Sequence, residues 1–173
     1  MDGLVQFAQA VVSGTAIGCV YALVALGFVL IYKATEVVNF AQGELMMVGA
    51  FLAYTFIVLF GLGFWLGALL ALVATAAVGS TLDRVVMRPM VGQPVFAIIM
   101  VTIGIGFVLR ATVSMVPGWG VGTYTIETPF AGKVVRLGEL VLSQDHLAII
   151  VLTTGLVAVL FAFFRYTRLG VAM

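Results

Sequence analysis

The chain has 173 residues, of which 64% are hydrophobic and 9% charged, with a net charge of +1 and a mean hydropathy of +1.27. Soluble domains carry about a quarter charged residues, so this composition excludes that class and points to an integral membrane protein. The eight basic residues are scattered singly or in pairs and form no nucleic-acid footprint, and a single cysteine (Cys19) and a single histidine (His146) make neither a disulfide nor a metal centre.

At the N-terminus Asp2, with no Lys or Arg, precedes an uncharged run over residues 3–32. That run is about twice the length of a signal-peptide core, so a retained transmembrane helix is expected. The span is placed at residues 10–32, where Gly14, Gly18 and Ala22 recur at spacing four and form a ridge that lets a second backbone approach. Cys19 lies inside this run and reads as a small packing residue.

Residues 39–44, NFAQGE, contain the only asparagine in the chain and stand directly before thirty-eight residues, 45–82, without a charge. That apolar run is too long for one span and is interrupted by Gly61-Leu62-Gly63, so helices are expected over residues 41–60 and 64–82. Residues 45–60 alone would rise only about 24 Å as a helix, short of the roughly 30 Å of hydrocarbon. The second span must therefore draw in Ala41, Gln42, Gly43 and Glu44, which brings a carboxylate to the membrane edge or below it.

Two readings of this turn stay open on residue chemistry. In one, Asn39, Phe40, Gln42, Gly43 and Glu44 form a structural break beside a translocation path. Glu44 faces inward, Asn39 and Gln42 bond backbone groups freed by the break, and Thr35 and Glu36 extend the polar face. In the other, the turn is an interfacial helix start with Glu44 near the positive helix end.

In the third span Gly67, Ala71, Thr75 and Gly79 repeat the small-residue spacing. Static packing is the plainer reading of both ridges, and a moving interface the alternative. After Arg84, Arg88-Pro89 and Gln93-Pro94, a fourth span is expected over residues 95–113, with Arg110 as a snorkelling anchor near its end. An external loop over residues 114–145 follows, with Pro117, Gly118, Gly120 and Gly122. Its alternating pieces at 123–126, 134–137 and 139–142 suggest a short hairpin outside the bilayer. Ser143 is a suitable N-cap before a fifth span over residues 146–164.

The expected fold is thus all-α, a polytopic transmembrane bundle of about five spans forming a single domain over residues 1–173. With the N-terminus outside, the cytoplasmic segments carry Lys33, Arg84, Arg88, Arg165 and Arg168, and the outer side Lys133 and Arg136, plus Arg110 when the end of the fourth span is counted with it, a modest bias that favours this orientation. No phosphate-binding loop, zinc-protease helix motif or nucleophile elbow occurs, so no catalytic residue, metal or cofactor is assigned.

Residues 18–54, GCVYALVALGFVLIYKATEVVNFAQGELMMVGAFLAY, resemble the first part of the LivH-type permeases of branched-chain amino-acid ABC importers. Asn39, Phe40, Ala41, Gly43 and Glu44 match that family's signature. Residues 83–92, DRVVMRPMVG, are similar to its arginine-rich stretch after the third span, and residues 165–173, RYTRLGVAM, to the start of its ATPase-facing cytoplasmic loop. Family members are much longer, so the chain is expected to correspond to the N-terminal half of one.

The resemblance implies a passive permease subunit in a bacterial inner membrane that translocates leucine, isoleucine or valine. It also implies the partners: a second homologous permease, cytoplasmic ATP-binding subunits and a periplasmic substrate-binding protein. Coupling to the ATPases would fall on Arg165, Thr167, Arg168 and Gly170. An ion-coupled secondary transporter using Glu44, and a non-transporting membrane scaffold, are the alternatives from other classes.

Overall fold

A computed structural model describes residues 2–120, 122–137 and 140–166. Among these, five helices are long and apolar enough to cross a membrane. The chain divides into two compact units, one of residues 1–34 with 129–173 and one of residues 35–128.

In the first unit α1 (Asp2–Thr35) is longer than expected at both ends. No proline interrupts it, and it stops where Glu36 turns to φ 56°, the left-handed region that Glu rarely adopts. A two-stranded antiparallel hairpin, β1 (Val134–Leu137) and β2 (Leu140–Ser143), leads directly into α5 (Gln144–Tyr166). The Ser13 hydroxyl lies 3.3 Å from His146 Nδ1, and the Lys33 ammonium sits 5.9 Å from the Phe164 ring centroid. Both contacts ascend in sequence, so α1 and α5 run parallel. At 1.5 Å per residue they are separated by about 30 Å along α1 and about 27 Å along α5, close to the thickness of the hydrocarbon layer.

The second unit has α2 (Gln42–Tyr54) packed against both α3 (Phe64–Leu82) and α4 (Val95–Met115). A π-helical turn, Thr55–Leu59, extends α2. Gly61 then reverses the chain at φ 64°, a conformation glycine reaches without a Cβ penalty. Antiparallel α2 and α3 approach closely at two glycines: a Cβ on Gly67 would lie 2.5 Å from Ile57 Cγ1, and one on Gly49 3.2 Å from Thr75 Oγ1. Helix α3 ends in a second π-helical turn, Asp83–Met87, and a 3-10 turn, Arg88–Met90. The five-residue π repeat aligns Asp83 with Arg88, whose Nε donates to its carboxylate at 3.0 Å. The starts of α3 and α4 at Phe64 and Val95 coincide with expectation because Gly63 and Pro94 stand directly before them.

One expected piece is corrected. Residues 123–126 join no strand ladder. Instead the Tyr124 ring lies 4.7 Å from Tyr54 and 5.9 Å from Phe51, so this piece rests on α2 and does not pair.

Candidate functional site

The polar turn before α2 is built by local hydrogen bonds. The Asn39 side-chain oxygen accepts from the Ala41 backbone N–H at 3.0 Å, an Asx turn, and the Asn39 carbonyl accepts from Gln42 N at 3.3 Å. These bonds satisfy backbone groups that a broken helix would otherwise leave open in an apolar medium. Ala41 and Gln42 are buried, Asn39 and Glu44 half-buried, and Phe40 and Gly43 exposed.

What fixes the depth of this turn is α4. Phe40 N donates to the hydroxyl of Thr102 at 3.4 Å, and Thr102, which has no exposed surface, donates onward to the Ile99 carbonyl at 2.8 Å. Thr102 stands seven residues beyond Val95 in a 21-residue helix, which places it about 10 Å along an axis of about 31 Å. Four residues further on, Gly106 faces Glu44: a Cβ there would lie 3.4 Å from Glu44 Cγ. The Phe40–Glu44 turn therefore lies beside the middle third of α4. On α3, whose Thr75 faces Gly49 and whose Gly67 faces Ile57, the same turn stands level with Asp83 and Arg84, where the charged end of the third span begins.

Beside this turn Glu44 forms an ion pair with Arg110, whose Nη2 donates to Glu44 Oε1. The Glu44 side chain is only 17% exposed, whereas that of Arg110 is 66% exposed. Arg110, expected as a snorkelling anchor, thus has a carboxylate partner from another helix. The pair opens onto a recess of about 260 Å³ lined by Phe40, Glu44, Ile103, Gly106, Phe107 and Arg110. Within apolar spans such a pair lets each charge offset the other, because either alone is costly there.

A second recess of about 220 Å³ lies further along α2, lined by Ala50, Phe51, Tyr54, Gly122, Tyr124 and Ile126. Trp119 closes this end: its indole N–H donates to Thr55 Oγ1 at 2.7 Å, and its ring stacks on Phe51 at 5.3 Å.

Of the remaining residues singled out from sequence, Gly67 lies against Ile57, while a Cβ on Gly14, Gly18 or Gly79 would meet nothing within 4 Å. Arg165 is described and lies 5.9 Å from the Tyr166 ring centroid. Thr167, Arg168 and Gly170 fall outside the described residues. Sequence reasoning missed Thr102, Gly49 and the pairing of Arg110 with Glu44. The one available signal for the last was that α4 holds a single charge, which in lipid calls for a partner.

A family model described as "Branched-chain amino acid transport system / permease component" matches residues 10–173. The LivH permease of the high-affinity branched-chain amino-acid transport system in Salmonella typhimurium is 27% identical over 190 aligned residues, covering 98% of this chain and 58% of LivH. LivH of Escherichia coli matches with the same identity and coverage. BraD of Pseudomonas aeruginosa, a permease of the same kind of system, is 32% identical over 123 residues, 66% of this chain and 40% of BraD. The chain thus spans 58% of the length of the LivH relatives it matches. No solved structure matches.

Proposed function

The chain belongs to the family of permease components of branched-chain amino-acid transport systems, and from that membership we propose that it is the membrane-spanning subunit of an ABC importer for leucine, isoleucine and valine. In this reading it works as one permease domain in the cytoplasmic membrane, N-terminus outside and C-terminus inside. A second homologous permease completes the pathway, a periplasmic binding protein delivers the substrate and cytoplasmic ATPases supply the energy. Cytoplasmic nucleotide binding moves the segment from Arg165 through Thr167, Arg168 and Gly170, and the bundle rocks so that the turn from Asn39 to Glu44 opens to alternate sides.

The observation that carries the reading is the ion pair between Glu44 and Arg110 beside a recess. A polar turn tied to α4 and a carboxylate–guanidinium pair joining two spans suit a substrate path better than a bundle serving only as an anchor. The test is uptake of radiolabelled leucine in cells that lack their own systems and express this protein with the subunits encoded beside it. Uptake is expected to follow cellular ATP and to survive a protonophore. Uptake that collapses with the proton gradient and ignores ATP would instead assign Glu44 to an ion-coupled carrier.

A further inference from the structure

The recess at Glu44 and Arg110 holds one carboxylate and one guanidinium in contact, with Phe40, Ile103 and Phe107 as apolar walls and an open side. The geometry points to a binding site for a zwitterionic α-amino acid: its carboxylate takes the Arg110 guanidinium, its ammonium takes the Glu44 carboxylate, and its aliphatic side chain lies on the three apolar walls. This assignment rests on the transport reading above and names the groups that select the substrate.

The argument is one of charge count. In the empty site each charge neutralises the other. A zwitterion inserted between them replaces one ion pair with two, and no charge is left without a partner. An amine would satisfy Glu44 and strand Arg110; a carboxylic acid would satisfy Arg110 and strand Glu44. An uncharged amide or urea would separate the pair and restore neither side. In a low-dielectric span each stranded charge is heavily penalised, so selection for the zwitterion follows from the pair itself. Arg110 also brings a planar fork suited to two-point contact with a carboxylate. Space agrees: the recess of about 260 Å³ compares with roughly 30 Å³ for one water in the liquid, leaving room for a small amino acid. Gly106 keeps the floor open, since any side chain there would grow from 3.4 Å off Glu44 Cγ into the same space.

The test reads occupancy of the recess directly in the assembled transporter in native membranes. With Cys19→Ser removing the native thiol, Phe107→Cys places a reporter on the wall, and its alkylation by a small maleimide is timed. Millimolar leucine is expected to slow the reaction, while leucinamide, which lacks the carboxylate, and 4-methylpentanoate, which lacks the amine, do not at the same concentration. Arg110→Gln should raise the leucine concentration needed for protection at least ten-fold, and Arg110→Lys by less. Should Arg110→Gln fail to accumulate, the doubly neutral Glu44→Gln/Arg110→Gln protein serves in its place, with protection again expected to be lost.

Protection by all three ligands alike, protection unchanged by Arg110→Gln, or no protection by leucine would overturn the site. Leucine uptake measured on the same cells separates the two readings. Uptake without charge-selective protection removes this site and leaves transport standing, whereas charge-selective protection without uptake keeps the site and removes transport.

Discussion

Thr102 is fully buried, and its hydroxyl is both acceptor for Phe40 N and donor to Ile99. Replacing it with valine keeps the shape and deletes the acceptor, leaving the Phe40 N–H open in an apolar setting at a cost of about 1 kcal/mol. Thr102→Val is therefore expected to lower the thermal midpoint of the detergent-solubilised protein and to loosen the Asn39–Glu44 turn, seen as faster alkylation of a cysteine at Ala41. A larger effect belongs to the charges. Glu44→Gln removes the carboxylate partner of Arg110 and leaves a lone cation on a span that has no other charge. The single variant should accumulate poorly in membranes, and Glu44→Gln/Arg110→Gln should accumulate better than either single change, as quantitative blotting of washed membranes will show. The carboxylate was legible in the sequence because Glu44 borders so long an apolar run. Its partner was not, because 66 residues separate the two and no periodicity links α2 to α4.

Helix α2, uncharged beyond Glu44, shows how little an apolar segment reveals about its neighbours. Lipid is as greasy as a packing face, so hydrophobic pattern does not mark which side of such a helix meets protein. The extent of α3 and the start of α4 were readable from Gly63 and Pro94, and the interruption at Gly61 from its glycine pair. The register was not readable, and small-residue spacing marked positions of unequal weight. Gly67 faces the backbone of Ile57 at 3.3 Å from where a Cβ would sit, whereas Gly79 faces open space. Gly67→Ala should thus destabilise by about 1–3 kcal/mol through overpacking. Gly79→Ala should be neutral or stabilising by up to about 1 kcal/mol, from the better helix propensity of alanine. Chemical denaturation of the two variants in the same detergent compares them directly. The π-helical turn at Thr55–Leu59 had no sequence mark either, although the Trp119 indole bonds to its first residue.

Large apolar side chains are exposed on every one of the five helices, among them Phe7, Met46, Leu72, Phe107 and Phe161. Exposure on that scale suits contact with lipid or with further protein, not water. The proposed orientation makes a testable statement about the molecule as a whole. With Cys19→Ser as background, an impermeant maleimide should label a cysteine at Lys133 in intact cells, and one at Arg84 only after permeabilisation. The reverse pattern would invert the orientation. The all-α class and the five spans were evident from composition and run length alone. The division into two compact units was not, because it arises from contacts between residues far apart in the chain.

The 66-residue interval between the acid and its base also sets a clock on biogenesis. At about 5–20 residues per second, the ribosome delivers Glu44 some 3–13 s before Arg110. During that delay the second segment has neither the Arg110 counter-charge nor the Thr102 hydroxyl that receives the Phe40 N–H.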